Sequence, residues 1–149
     1  MVSCAGAGLL PVRTGYEQLI YQRVGEEFAY AAEGAGTVES VDDKAIVINY
    51  KDGEGNIKNK GISLGVRHGE TSGSILPHTM VTDLKKGAKF KAGDAICWND
   101  AYFTRDILNP RGVSMKGGAL ARTVLMETPD TLEDGCAIGP SLAGKLSTP

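Results

Sequence analysis

Along most of the chain apolar residues recur at every second position. The run Lys44-Ala45-Ile46-Val47-Ile48-Asn49-Tyr50 shows this most clearly. Ile46, Ile48 and Tyr50 fall on one face and Ala45, Val47 and Asn49 on the other, the alternation of a half-buried strand. Before it, residues 28–32 and 37–41 read as two strands around the turn Glu33-Gly34-Ala35-Gly36. After it, Asp52-Gly53-Glu54-Gly55-Asn56 closes a hairpin whose second arm is 57–64. The period lengthens only near the start. Thr14-Gly15-Tyr16-Glu17 fits a capping box, and Tyr16, Leu19, Ile20 and Arg23 follow at helical spacing. That pattern predicts a helix of about ten residues, ended by Gly25.

The second half is more broken. Residues 65–74 have no apolar period and read as a loop, while 75–81 look extended, with Pro77 placing them at an edge or bend. Gly87 and Gly93-Asp94 bracket Lys89-Phe90 and lead into the apolar run Ala95-Ile96-Cys97-Trp98, predicting turn, short strand, turn, strand. Residues 99–118, with Pro110 and three glycines, read as a long surface excursion. Residues 119–126 return as a strand, 128–135 form an acidic turn, and 137–146 hold a short last element. Residues 1–13 form an extended arm broken by Pro11. The expected fold is a single domain over 1–149: mainly β, a compact β-barrel or folded sheet, with one short N-terminal helix and long surface loops.

Composition sharpens this picture in three ways. The 149 residues suffice for one core, and 20 glycines agree with many tight turns. No apolar run is long enough to span a membrane, and the first residues lack the cationic and apolar regions of a secretory signal, so a non-secreted protein is expected. Cys4, Cys97 and Cys136 are odd in number and widely spaced, which predicts small apolar packing residues and no zinc or disulfide framework. A net charge of −2 argues against a domain-wide nucleic-acid surface, so any phosphate-tracking patch must be local.

Chemistry-bearing candidates are few. Lys85, Lys86, Lys89 and Lys91 form the best candidate anion-binding surface, although lysines along a sheet edge also discourage aggregation. His68 and His78, ten residues apart, do not have a recognised metal-ligand spacing. Glu133 and Asp134 are adjacent and point apart in a strand, so a cooperating pair needs a turn. Neither a phosphate-cradling glycine loop with its Lys-Ser/Thr partner nor a nucleophile elbow occurs.

Several stretches, in order, resemble the large β subunit of multisubunit DNA-dependent RNA polymerases. Val12-Arg13-Thr14-Gly15-Tyr16-Glu17 is similar to that family's "Val-Gly-Thr-Gly-Met-Glu". Gly36-Thr37-Val38-Glu39-Ser40-Val41-Asp42 before Ile46-Val47-Ile48 resembles "Gly-x-Val-x-x-Val-Asp" and its following strand. The segment from Lys86-Gly87 to Gly93-Asp94-Ala95-Ile96 looks like the "Gly-Asp-x-Val" region after "Ile-Asn-Gln-Arg-Pro-Ile-Val". Gly118-Ala119-Leu120-Ala121 and Leu132-Glu133-Asp134-Gly135-Cys136-Ala137-Ile138 are similar to "Gly-Glu-Leu-Ala" and "Phe-Glu-Asp-Ala-Ile".

The resemblance spans nearly the whole chain and implies the hybrid-binding barrel region in a divergent, phage-type copy. It matches Glu133 and Asp134 to the acidic pair near the catalytic magnesium. It also places Arg67, His68 and His78 near positions where the family uses arginines and asparagines to hold nucleic acid. There this chain reads His68-Gly69-Glu70-Thr71 and Leu76-Pro77-His78-Thr79, losing the guanidinium forks that grip phosphate bidentately.

The expectation is therefore a non-catalytic, polymerase-β-like structural module without a cofactor, joined to other protein subunits in a larger assembly such as a phage virion, as a decoration or cement protein. The alternative is a fragment of a split phage RNA polymerase β subunit that binds the RNA–DNA hybrid, with magnesium, only inside the complete enzyme. A carrier-type barrel fits less well, since Lys89-Phe90-Lys91 lacks the Met-Lys-Met tip such domains modify.

Overall fold

The structure, a computed structural model, describes residues 3–71, 73–127, 129–130 and 135–148. Ten strands are arranged in three antiparallel sheets: β1 Ala29–Ala31, β2 Gly36–Val41, β3 Ala45–Lys51, β4 Ile57–Ser63, β5 Gly65–Thr71, β6 Ser74–Val81, β7 Lys89–Phe90, β8 Ala95–Asn99, β9 Phe103–Arg105 and β10 Val113–Met115. The first sheet has the order β1-β8-β6-β5, the second β4-β3-β2-β7, and β9 with β10 makes a hairpin of its own.

The alternation in residues 44–50 holds. Ile46, Ile48 and Tyr50 are buried, and β3 is flanked by β2 and β4. Together with Val38, Ile62 and Phe90 they meet Tyr30, Met80, Ile96 and Cys97 of the first sheet in one apolar cluster. A second cluster forms on Tyr21, Ala29, Ala95, Trp98, Tyr102, Phe103 and Val113. Strand β8 supplies residues to both. All five of its residues are buried, and its register against β1 shifts so that Tyr30 faces Cys97 while Ala31 faces Ala95. Ile96 is thus an extra residue in the ladder, and the bulge lets neighbours Ile96 and Cys97 serve the same cluster. Gly87 and Gly93 both adopt positive φ, 81° and 85°, in the two turns predicted around β7.

Four expectations are corrected. Among the described residues no closed barrel forms: the sheets keep open edges at β1, β5, β4 and β7. The predicted N-terminal helix is absent, replaced by two short 3-10 turns at Tyr16–Gln18 and Ile20–Gln22. Gly15 is left-handed at φ 90°, and Thr14 turns its hydroxyl to Glu17 Oε2 at 2.8 Å instead of completing a capping box. Tertiary contact overrides propensity here, because Tyr21 is drawn into the second cluster and donates to the Gly93 carbonyl at 2.6 Å. The helix that does form, α1 Pro140–Leu146, is C-terminal and buries no residue.

Residues 65–74, read as a loop, instead make β5 and the start of β6, paired from Gly65↔Met80 to Thr71↔Ser74. Residues 119–126, read as a strand, contain none. Within the surface excursion, residues 103–105 and 113–115 pair as a hairpin. No helix among the described residues is long and apolar enough to cross a membrane.

Candidate functional site

Lys85, Lys86, Lys89 and Lys91 are all exposed, and none makes an ion pair or hydrogen bond from its ammonium group among the described residues. They surround β7, the two-residue strand that ends the second sheet, where Thr37 opposes Lys89 and Gly36 opposes Phe90. The local fold follows from the sequence. Phe90 is buried as the anchor, the left-handed Gly87 and Gly93 turn the chain on either side, and Asp94 Oδ2 accepts from the Lys91 amide at 2.8 Å. The lysine side chains are left facing water, so the four positive charges stay uncompensated.

Arg67 and His78 lie elsewhere, directly opposite each other on β5 and β6 of the first sheet, with His68 opposite Pro77. Arg67 donates from NH2 to the Ser63 carbonyl at 2.6 Å, and its Nε is buried without a partner. His78 is held among protein groups: Nδ1 lies 2.7 Å from Asn99 Nδ2, and the ring packs edge-on to Phe28 and stacked with Tyr102. The structure thus joins Arg67 to His78, sets His68 exposed beside them, and leaves the lysines on the other sheet. Glu133 and Asp134 lie outside the described residues. Among the described residues no three His, Cys, Asp or Glu side chains gather in a way that could hold a metal ion.

Two further clusters went unread in the sequence. Tyr30 and Tyr50 donate to the two oxygens of Glu33 at 3.2 and 2.9 Å, while Lys60 lies 4.3 Å above the Tyr30 ring and bonds Glu26 at 2.5 Å. The Tyr50 hydroxyl, more than any other group, holds the Glu33 carboxyl below its ordinary value, and burial pushes the Tyr30 phenol well up. Separately, Arg13 NH1 lies 3.1 Å from Asp106 Oδ1, joining residues 93 apart. Burial opposes the charged form of Asp106, but the Leu108 amide and Arg13 outweigh it and hold the carboxyl low. Beside Arg13 a depression of about 190 Å³ is lined by Leu10, Val12, Glu17, Ser114, Met115 and Lys116. No local signal marks these groups, since the contacts join distant stretches.

The most unusual feature is the segment 118–127. It holds neither helix nor strand, and none of its residues makes a hydrogen bond or ion pair to the rest of the described chain. Leu120, Val124, Leu125 and Met126 are 68%, 75%, 97% and 71% exposed. Three adjacent apolar side chains standing in water form a patch of the kind that marks an interaction site.

Comparison with protein-family models, with curated proteins and with solved structures returns no match. The polymerase-β resemblance therefore rests on the sequence motifs alone.

Proposed function

We propose that this chain is a non-catalytic module whose work is to be built into a larger protein assembly. The observation that carries the reading is segment 118–127, an exposed, largely apolar stretch that has no hydrogen-bonding or ion-pair partner among the described residues. Leaving Val124, Leu125 and Met126 in water forfeits roughly 1.5–3 kcal/mol for each side chain that a partner surface would bury. Further support comes from the candidate polar residues. His78 is held at Nδ1 by Asn99 and packs on Phe28 and Tyr102, and Arg67 donates to a backbone carbonyl, so both have structural work within the first sheet. The setting we favour, from the resemblance, is a phage particle in which a polymerase-β-like shape serves as a decoration or cement protein.

One observation favours a second reading, a piece of a split polymerase β subunit that contacts an RNA–DNA hybrid: the four uncompensated lysines around β7. Binding of the purified chain to a short RNA–DNA hybrid at low and moderate salt separates the two. Affinity that falls steeply with salt, as counterion release requires, would replace the assembly reading with the polymerase one. The assembly reading expects negligible hybrid binding and stoichiometric recovery of the chain, at many copies, in purified particles.

A further inference from the structure

We propose that His78 is a proton-operated latch: neutral, it fastens the β5–β6 hairpin to β8, and on taking up a proton it releases the outer part of that hairpin. The inference concerns the chain on its own and does not depend on the assembly reading.

The hairpin is held to the rest of its sheet at one end. Strands β5 and β6 pair with each other from Gly65↔Met80 to Thr71↔Ser74. Among the described residues β6 meets β8 only at Met80↔Asn99 and Val81↔Trp98, with one more bond from the Asp100 amide to the Thr79 carbonyl at 2.9 Å. On the other strand, Arg67 donates to the Ser63 carbonyl and so secures the same end. His78 is the next residue outward on β6. Its ring lies edge-on to Phe28 with centroids 5.7 Å apart and stacked with Tyr102 at 6.4 Å, and its Nδ1 is 2.7 Å from Asn99 Nδ2. Elsewhere on the hairpin Val66, Ile75 and Pro77 are exposed. Side-chain anchorage beyond the short ladder therefore falls to His78.

The protonation state of the ring follows from its neighbours. Asn99 is completely buried, and its Oδ1 accepts from the Ala101 amide at 3.0 Å. A backbone N–H can only donate, so the oxygen of this side chain faces Ala101 and its NH2 group faces His78. Nδ1 is thus the acceptor of an N–H···N bond, and the single ring proton sits on Nε2. Protonation turns Nδ1 into a donor. Two donors then oppose each other, and Asn99 cannot turn its oxygen to the ring without setting its NH2 against the Ala101 amide.

No counter-charge among the described residues relieves this. Arg67, directly opposite on β5, adds a second positive charge, and Tyr102, between β8 and β9, presents its ring. Phe28 and Asn99 carry no charge, and the Asp100 carboxylate pairs with Lys116 at 3.7 Å. The latch therefore holds at neutral pH and slackens as pH falls below about 6.5, where an ordinary histidine is half protonated.

Backbone amide exchange of the full chain at about pH 7.5 and about pH 5.5, on either side of that value, tests this when expressed as protection relative to an unstructured chain at the same pH. We expect β5 and the part of β6 before Thr79 to lose protection at least about tenfold on acidification, while β3 and β4 keep theirs. H78N places an amide oxygen where Nδ1 stood and does not titrate, so its hairpin protection should no longer change with pH. Nitrogen-15 spectra of the parent's imidazole at neutral pH should show the proton on Nε2. A parent hairpin equally protected at both pH values overturns the proposal, as does a loss shared equally by β3 and β4. So does a ring protonated on Nδ1, or a pH dependence that survives in H78N.

Discussion

Replacing Arg13 by methionine keeps much of the side chain's apolar stem and removes the charge that faces Asp106. The Asp106 side chain is 1% exposed and that of Arg13 19%, so the pair is buried on one side only. At 3.1 Å and an effective dielectric of about 20, the attraction is roughly 5 kcal/mol before desolvation is counted. Removing one partner of a buried pair typically costs about 3–5 kcal/mol. Asp106 keeps its bond from the Leu108 amide at 2.9 Å, and water can approach from the Arg13 side. We therefore expect R13M to lose about 2–3 kcal/mol, and R13M/D106N, which removes the uncompensated charge, to recover at least half.

The sign with pH is also determined. The folded-state pKa of Asp106 lies below its unfolded value, so its contribution is present above the unfolded pKa of about 3.9 and is lost as pH falls through the folded pKa. Without Arg13 the folded pKa rises towards the unfolded value, so Asp106 contributes less to acid destabilisation and the acid limb flattens. Urea unfolding at several pH values, followed by the emission of Trp98, the single tryptophan and 6% exposed, measures both effects. An R13M chain within about 0.5 kcal/mol of the parent, with an unmoved acid limb, would mean the pair behaves as a solvated surface bridge.

G36A should unfold the chain or cost more than about 3 kcal/mol in urea titration, because a Cβ there would stand 2.0 Å from the Asn49 carbonyl oxygen and 2.8 Å from the Phe90 ring. E33Q should cost no more than about 1 kcal/mol, since Glu33 is more than half exposed. It should also flatten the acid limb, because the lowered Glu33 pKa gives stability that is present above the unfolded value and lost as pH falls through the folded one. Cys97, buried and pushed up to about 12 by desolvation, should resist iodoacetamide in the native chain while the exposed Cys136 reacts, as peptide mass mapping would show.

What could be read from the sequence was what local alternation dictates. Strand β3 and its hairpin with β4 follow from Ile46, Ile48 and Tyr50 and from the turn at Asp52, whose carboxylate accepts from the Glu54 and Asn56 amides. The Gly87 and Gly93 turns were legible for the same reason. Strand β5 was not: Gly65, Arg67, His68 and Gly69 give no apolar period, and the strand exists because β6 pairs with it along its whole length. Residues 119–126 have the composition of a strand, but composition does not supply a neighbour to bond. Barrel closure failed as an expectation for a related reason, since which edges meet is decided by pairing that no local pattern encodes. Among the candidate residues, the lysine cluster emerged as an exposed surface, while His78 turned out to be held by Asn99 and two aromatic rings.

The way the chain joins distant residues also bears on how fast it can fold. Tyr21 reaches Gly93, 72 residues on, Arg13 reaches Asp106, 93 residues on, and β1 must wait for β8 before its sheet has an edge to grow from. Each of these requires closing a long loop before any contact repays it. The β2–β3–β4 meander, by contrast, needs only short turns and can form early. Joining β8 to β1 should then be the late, rate-limiting event, leaving Trp98 solvated in any early species and making its burial the slow phase in a stopped-flow trace.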